Sequence, residues 1–206
     1  MTPDAEQLIA QAREGNAPTL GVLLEQYRNY LRVLARIEIG QHLQGKVDAS
    51  DVVQDTMMDA YRYFPNFRGT VEPQFIHWLR QILAGRLANL VRHYFGTQAR
   101  DIRLEQKIND GLDRSSAFLD GGLVAVQSSP SEQVARQEQA VVLANALSKL
   151  PDDYREVIVL RNIEGLTFAQ VAERMGKTVD SVDKLWLRAL ARLRIEMSSP
   201  ASGEDA

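Results

Sequence analysis

The triplet Gly176-Lys177-Thr178 has the residue types that end a phosphate-binding loop, so nucleotide binding is the first chemistry to test. A Walker-type loop needs a further glycine separated from this triplet by four residues, because the chain must wrap its amides around phosphates. That position holds Val171. The preceding segment "TFAQVAERM" has helical spacing where the motif requires a strand. The sequence therefore argues against a nucleotide site.

Other catalytic constellations are also missing from the sequence. There is no cysteine, and therefore no thiol nucleophile, thiolate metal site or disulfide. His42, His77 and His93 are too widely spaced for a metal-binding motif. The acidic residues fall on helix faces that we expect to be solvated. We therefore expect a protein that is not an enzyme and that holds neither a metal nor a cofactor.

The segment around the triplet instead has the pattern of a helix-turn-helix. Thr167 and Gln170 form a capping box that starts the first helix. Ala172 is small where the two helices cross, Gly176 lies at the turn, and Val182 falls where the second helix packs back. These features together predict a DNA-binding helix pair.

The second helix of this pair has separate inner and outer faces. Its stripe Val182-Trp186-Ala189-Leu193 is predicted to face a core. A recognition helix places its first turns in the major groove. A plain helical hairpin with a solvated basic face is the competing interpretation. The polar and basic residues on the predicted reading face are Thr178, Ser181, Lys184, Arg188 and Arg192.

Helical periodicity extends over most of the chain and strand signals are nearly absent, which predicts an all-α protein. The fold class we expect is two small helical domains joined by a flexible linker, the second carrying the helix-turn-helix. No apolar run is long enough to span a membrane. The N-terminus "MTPDAEQLIAQAREG" lacks the features of a signal peptide. We therefore expect a cytoplasmic protein.

The first domain, residues 1–100, is predicted to contain three main helices. The first has its apolar residues at helical spacing from Leu20 to Ile39. The second begins after a cap at Asp48 or Ser50. The third has Pro73 in its first turn and an inward stripe. That stripe is Ile76-Leu79-Leu83-Leu87-Leu90-Tyr94, with Trp78, Gln81, Gly85, Asn89 and Arg92 on the opposite side.

Residues 101–131 are rich in Gly, Ser and Asp and are predicted to be a linker. The second domain then covers 132–197, and 198–206 is predicted to be a disordered tail. Charge is segregated: six basic and two acidic residues between Ile76 and Lys107 give +4, and the formal net charge of −3 leaves −7 on the rest. A basic segment inside an acidic chain is compatible with a nucleic-acid partner.

Two blocks of the sequence resemble the bacterial RNA polymerase sigma factors of the sigma-70 family, in particular the extracytoplasmic-function class. "DASDVVQDTMMDAYRYFPNFRG" and "FIHWLRQILAGRLANLVRHY" resemble region 2. "LSKLPDDYREVIVLRNIEGLTFAQVAERMGKTVDSVDKLWLRALARLR" resembles region 4 almost end to end. The resemblance covers about 20–100 and 138–196, roughly two thirds of the chain.

The resemblance implies a subunit that binds core RNA polymerase and promoter DNA, and that an anti-sigma protein restrains. It implies core-polymerase contacts at Asp51, Val52, Gln54 and Asp55. It implies contacts with the −10 element at Trp78, Arg80, Gly85, Arg86, Asn89 and Arg92. It implies −35 contacts at Thr178, Ser181, Lys184, Leu187, Arg188 and Arg192. For Trp78, burial beneath the preceding loop is an equal alternative.

The sequence departs from the family pattern at two positions. Gly85 stands where the family commonly has the Asn of its base-capturing segment, and Asn89 is a candidate substitute. Asp183 stands where a basic residue often precedes the reading positions. An acid there repels phosphate but accepts a hydrogen bond from cytosine N4. Both departures bear on which promoter sequence is recognised.

Two other functional classes compete with the sigma-factor interpretation. A conventional helix-turn-helix regulator would bind a palindromic operator tightly without polymerase. It would have no use for the block from Asp48 to Gly69. A pure interaction protein, such as an adaptor, would keep its activity when Lys184 and Arg188 are reversed in charge.

Overall fold

The computed structural model describes residues 4–42, 47–95, 102–119 and 130–198. Within these ranges every regular element is helical, as the all-α prediction requires. The chain divides into two compact units, Met1–Val141 and Val142–Ala206. None of the helices in the described ranges is long and apolar enough to cross a membrane. The predicted tail falls outside the described residues except for Ser198, which ends the last helix.

The first unit is built from helices α1 (Ala5–Arg13), α2 (Ala17–Gln26), α3 (Arg28–His42), α4 (Ala49–Tyr63), α5 (Glu72–Phe95) and α6 (Ile102–Leu119), with a 3₁₀ turn at Phe64–Asn66. Helix α7 (Pro130–Ser148) leads from this unit into the next. The apolar run from Leu20 to Ile39 is two helices, because the chain breaks at Tyr27, which lies in neither helix. The Tyr27 hydroxyl donates to Glu72 Oε1 at 2.8 Å, so this break is tied to the start of α5.

Helix α5 lies at the centre of the first unit, in contact with α3, α4 and α6. Its predicted inward residues Ile76, Leu79, Leu83 and Leu87 are all buried. Burying a leucine side chain contributes about 1.5–3 kcal/mol, so this stripe is a main source of the unit's stability. The stripe ends before Tyr94, which is 43% exposed. Asp48 caps α4 by accepting the Ser50 amide at 2.7 Å.

The prediction that residues 101–131 form a linker is wrong for 102–119, which are helix α6. This helix packs against α3 and α5. Gly111 allows the close approach, because a Cβ there would lie 2.8 Å from the Glu38 carboxyl carbon. The sequence of this segment does not show clear helical periodicity, because two of its inward positions are serines. The buried residues are Ile108, Leu112, Ser115, Ser116 and Leu119.

The second unit contains α8 (Asp152–Ile158), a π-turn (Val159–Ile163), α9 (Phe168–Met175) and α10 (Val179–Ser198). The helix formed by α8 and the π-turn stops before Gly165, which takes φ +69°. Helix α10 packs against α8 and α9. Val182, Ala189 and Leu193 of the predicted inner stripe are buried, and Trp186 is half-buried.

Candidate nucleic-acid interface

The turn between α9 and α10 has the geometry that the sequence predicts. The Thr167 amide donates to Gln170 Oε1 at 2.9 Å, and the Gln170 amide donates to Thr167 Oγ1 at 3.4 Å, which completes the capping box. Gly176 ends α9 with φ +63°, a backbone conformation that side chains with a Cβ rarely adopt. The Ser181 amide then donates to Thr178 Oγ1 at 3.2 Å, so Thr178 caps α10. Lys177 extends from the turn and pairs with Asp153 at 3.1 Å.

The outer face of α10 exposes the residues expected to touch DNA. Ser181, Lys184, Leu187, Arg188 and Arg192 are all exposed. Lys184 pairs with Asp180 at 2.7 Å, and Arg192 pairs with Glu196 at 2.7 Å. Pairs of this kind on a helix surface contribute only about 0.3–0.5 kcal/mol, so a phosphate or base edge can displace them. Leu187 lies among these charges with 55% of its surface exposed.

The candidate core-polymerase residues do not all lie on one surface. Asp51, Gln54 and Asp55 are exposed on α4. Val52 is 2% exposed and packs in the core of the unit, so its side chain is not available to a partner and its assignment is corrected. The apolar residue on the exposed side of α4 is Met58, which is 56% exposed. The exposed set is thus acidic and amide groups beside one flexible apolar side chain.

Trp78 belongs to an aromatic cluster that the preceding loop builds over the start of α5. Its ring centroid is 5.0 Å from that of Phe67 and 5.7 Å from that of Phe75. Phe64 adds an edge-on contact at 6.2 Å. Trp78 remains partly exposed. Trp78 therefore packs against the loop and also presents a partial aromatic surface, and its contact with the −10 element stays a prediction.

Two arginines expected to hold phosphates are engaged within the first unit. Arg86 Nε donates to Asp59 Oδ2 at 2.5 Å, and its Nη1 lies 3.6 Å from Asp55 Oδ2. The hydrogen bond to Asp59 raises the pKa of Arg86 above its ordinary value. Arg80 donates to the Ser116 hydroxyl and has its Nη2 3.6 Å from Asp113 Oδ1, so it holds α6. Both guanidinium groups are therefore paired within the first unit, and the DNA contacts that the resemblance implies for them stay a prediction.

The outward side of α5 retains the other candidate residues. Asn89 and Arg92 are exposed on this side, as is Gln81. Gly85 lies between them with no atom within 4 Å of a Cβ built on it. A side chain introduced there would meet open space. Trp78, Gly85, Asn89 and Arg92 thus lie on one side of one helix. Arg80 and Arg86 instead pair with carboxylates of the first unit.

Several supporting residues were not foreseen. Arg13 of α1 donates from Nη2 to the Phe67 carbonyl at 3.2 Å and braces the aromatic loop. Asn162 accepts a hydrogen bond from the indole of Trp186. No local motif in the sequence marks either contact, since the residues are 54 and 24 positions apart. Across the described residues, no group of three or more His, Cys, Asp and Glu could hold a metal ion.

These features define the class of protein. A helix-turn-helix with a capped, polar outer face on one unit, and an aromatic and polar helix side on the other, are the elements of a DNA-binding protein.

Comparison with known proteins identifies the family. Residues 140–193 match the model of Sigma-70, region 4. The chain is 28% identical to the ECF RNA polymerase sigma-E factor of Haemophilus influenzae over 90% of its length and 93% of that protein. It is 26% identical to the sigma-E factor of Salmonella typhimurium over 88% of each chain. A solved complex of CnrH with the cytosolic domain of CnrY aligns at 25% identity and TM-score 0.34, over 95% of this chain and 100% of that one.

The chain is an extracytoplasmic-function sigma factor of the sigma-70 family. The sequence resemblance is therefore confirmed. Its function is promoter recognition for RNA polymerase.

Proposed function

We propose that the two predicted domains divide this function between them. The domain at residues 132–197 reads the −35 element. The domain at residues 1–100 binds core polymerase and the −10 element. The observation that carries the proposal is the capped helix-turn-helix with its exposed outer face, within the segment that matches Sigma-70, region 4. Binding energy from the partners would do this work, and we assign no covalent chemistry to the chain.

In the second unit, α10 would lie in the major groove. Arg188 and Lys184 are placed to donate to base edges or phosphates, and the side chain of Leu187 suits contact with a thymine methyl group. Ser181 and Thr178 stand at the N-terminal end, where recognition helices approach bases. Arg192, farther along the helix, would contact the backbone. Backbone contacts set the register, and base contacts set the sequence.

In the first unit, the outward side of α5 would meet the −10 element. Strand opening requires bases to leave the stack, at a cost of a few kcal/mol per base. An aromatic surface offsets part of that cost by stacking. Trp78 offers such a surface, while Asn89 and Arg92 supply polar groups nearby and Gly85 leaves room for a base. Arg80 and Arg86 would contribute by holding α6 and α4 in place, and would reach phosphates only after leaving their carboxylates.

The exposed side of α4 would bind core polymerase. Asp51, Gln54 and Asp55 present acceptors and an amide, and Met58 adds an adaptable apolar contact. A mixed acidic and apolar surface of this kind suits a basic partner face. We also include an anti-sigma partner and a cytoplasmic location in the proposal. Pull-down from the cell tests for an anti-sigma partner.

Run-off transcription with purified core polymerase tests the function, and gel shift separates it from its rival. We expect promoter-dependent transcripts with core enzyme, and weak DNA binding by the chain alone because its formal net charge is −3. A conventional regulator would shift a palindromic operator tightly without polymerase. Tight binding alone, with no transcript from any matched core enzyme, would overturn the proposal.

A further inference from the structure

The middle of α10 carries a hydrogen bond that its DNA-reading neighbours do not make. Trp186 lies between Lys184 and Leu187 in sequence but faces the interior of the unit. Its Nε1 donates to Asn162 Oδ1 at 2.9 Å. Asn162 lies in the π-turn that follows α8, so the bond joins the reading helix to a different element.

The π-turn explains how Asn162 comes to point at α10. The Glu164 amide donates to the Val159 carbonyl, five residues back, at 3.0 Å. The Leu166 amide reaches the Leu160 carbonyl at 3.1 Å, six residues back, where an ordinary helix end would span five. The extra residue turns the following side chains by about 100° relative to α-helical register. Consecutive residues Arg161 and Asn162 thereby both contact the helix-turn-helix.

Arg161 supplies an indirect connection to α10, through Phe168 of α9. Its guanidinium carbon is 4.9 Å from the centre of the Phe168 ring, and its Nη1 donates to the Leu166 carbonyl at 3.3 Å. The Phe168 ring in turn meets Trp186 edge to face, with centroids 5.5 Å apart and planes at 78°. Trp186 is therefore held by a hydrogen bond on one side and by a ring on the other.

We propose that Asn162 and Trp186 are positioning residues for −35 recognition, which fix the rotation of α10 about its axis. Apolar packing holds a helix against its neighbours but is not directional. A hydrogen bond from a ring nitrogen fixes an orientation as well as a distance. Side chains that read bases must be held within about 0.5 Å and 10–20° of the geometry in which they bind. The inference rests on the proposed role of α10.

The test is a double-mutant cycle between Asn162→Ala and Trp186→Phe. Trp186→Phe keeps an aromatic ring near Phe168 but removes the indole N–H donor, together with part of the ring area. The measured quantity is the ratio of run-off transcription from a promoter with an intact −35 element to that from one with a scrambled element. We expect each single variant to lower this ratio roughly 2- to 12-fold, the effect of one hydrogen bond. The double variant should fall no further than either single variant.

Two controls separate positioning from folding. Asn162→Asp keeps an oxygen acceptor and should restore most of the ratio. Transcription from the scrambled promoter should stay at the wild-type level in every variant. In ¹⁵N-labelled protein, the Trp186 indole N–H resonance should move upfield in Asn162→Ala and stay near its place in Asn162→Asp.

Three outcomes are distinguishable. If Asn162→Ala lowers the melting temperature but leaves the promoter ratio unchanged, the contact is structural only and the inference is overturned. Strictly additive effects in the cycle also overturn it. If the wild-type ratio is itself one, α10 does not read a −35 element, and the proposed function fails instead.

Discussion

At the residue scale, Gly69 determines whether the aromatic cluster can form. A Cβ at Gly69 would overlap the ring of Phe67 and lie 2.8 Å from the Gln74 Cβ, which is too close for two carbon atoms. Gln74 also accepts the Thr70 amide through Oε1 at 2.9 Å, so it has little freedom to move aside. The loop can hold Phe67 against Trp78 only because residue 69 has no side chain.

We therefore expect Gly69→Ala to destabilise the first unit by about 1–3 kcal/mol, the usual effect of overpacking. Gly21→Ala is the matched control: Gly21 lies inside α2 with nothing within 4 Å of its Cβ position, so alanine should stabilise the protein by about 0.5–1 kcal/mol. Urea denaturation measures both. Equal effects at the two glycines would contradict the close packing at Gly69.

Asp55 is the residue at which the proposed binding to core polymerase can be tested. Its side chain is 59% exposed, and its distance of 3.6 Å to Arg86 is longer than that of the Asp59 bond. Arg86 therefore keeps its main partner when Asp55 is changed. We expect Asp55→Lys to abolish co-purification with core polymerase while thermal unfolding stays close to wild type.

Glu14→Lys is the charge-matched control for Asp55→Lys. Glu14 is exposed at the end of α1, on a different helix from Asp55. This variant should bind core polymerase as the wild type does. Loss of binding in both variants would indicate a general charge effect, and retention in Asp55→Lys would remove Asp55 from the interface.

At the element scale, the start of α9 depends on the capping box. Two of the helix's unpaired N-terminal groups are satisfied by Thr167 and Gln170 together. We expect Thr167→Ala to lower the free energy of unfolding by about 0.5–2 kcal/mol. Thr167→Ser keeps the hydroxyl and should stay within a few tenths of wild type. Chemical denaturation compares them, and equal losses would exclude the cap as the cause.

Elements with a complete local pattern were predictable from the sequence. The inward stripe of α5 and the helix-turn-helix follow from apolar spacing and from caps within a few residues of each other. Helix α6 was not predictable in this way, since Ser115 and Ser116 occupy inward positions and Gly111 reads as a turn residue. The burial of Ser116 is favourable because Tyr30 and Arg80 form hydrogen bonds with its hydroxyl from other helices.

The candidate site residues also fall into those that were predictable from one helix and those that depend on contacts between helices. The exposed face of α10 was predictable because one helix carries it. The burial of Val52 and the engagement of Arg80 and Arg86 depend on which helices meet, which short-range spacing does not specify. The same holds for the bond between Asn162 and Trp186, which joins residues 24 positions apart.

At the scale of the whole molecule, the proposed function expects the DNA-binding surface of each unit to be insufficient alone. The formal net charge of −3 gives little general attraction to DNA, whose phosphates dominate non-specific affinity. Under the proposed function, two separate DNA contacts joined through polymerase would gain from effective concentration, so weak individual contacts would suffice. Specificity would then depend on both units being bound to the same polymerase.

The measurement that tests this account most directly is run-off transcription by core polymerase with wild-type chain or Arg188→Ala, on promoters with intact and scrambled −35 elements. If Arg188 makes a bidentate base contact, its loss should cost about 1–3 kcal/mol on the intact promoter. We predict that wild type discriminates between the two promoters, and that Arg188→Ala initiates at a similar low level on both. Undiminished discrimination by Arg188→Ala would contradict the assignment of α10 as the reading helix.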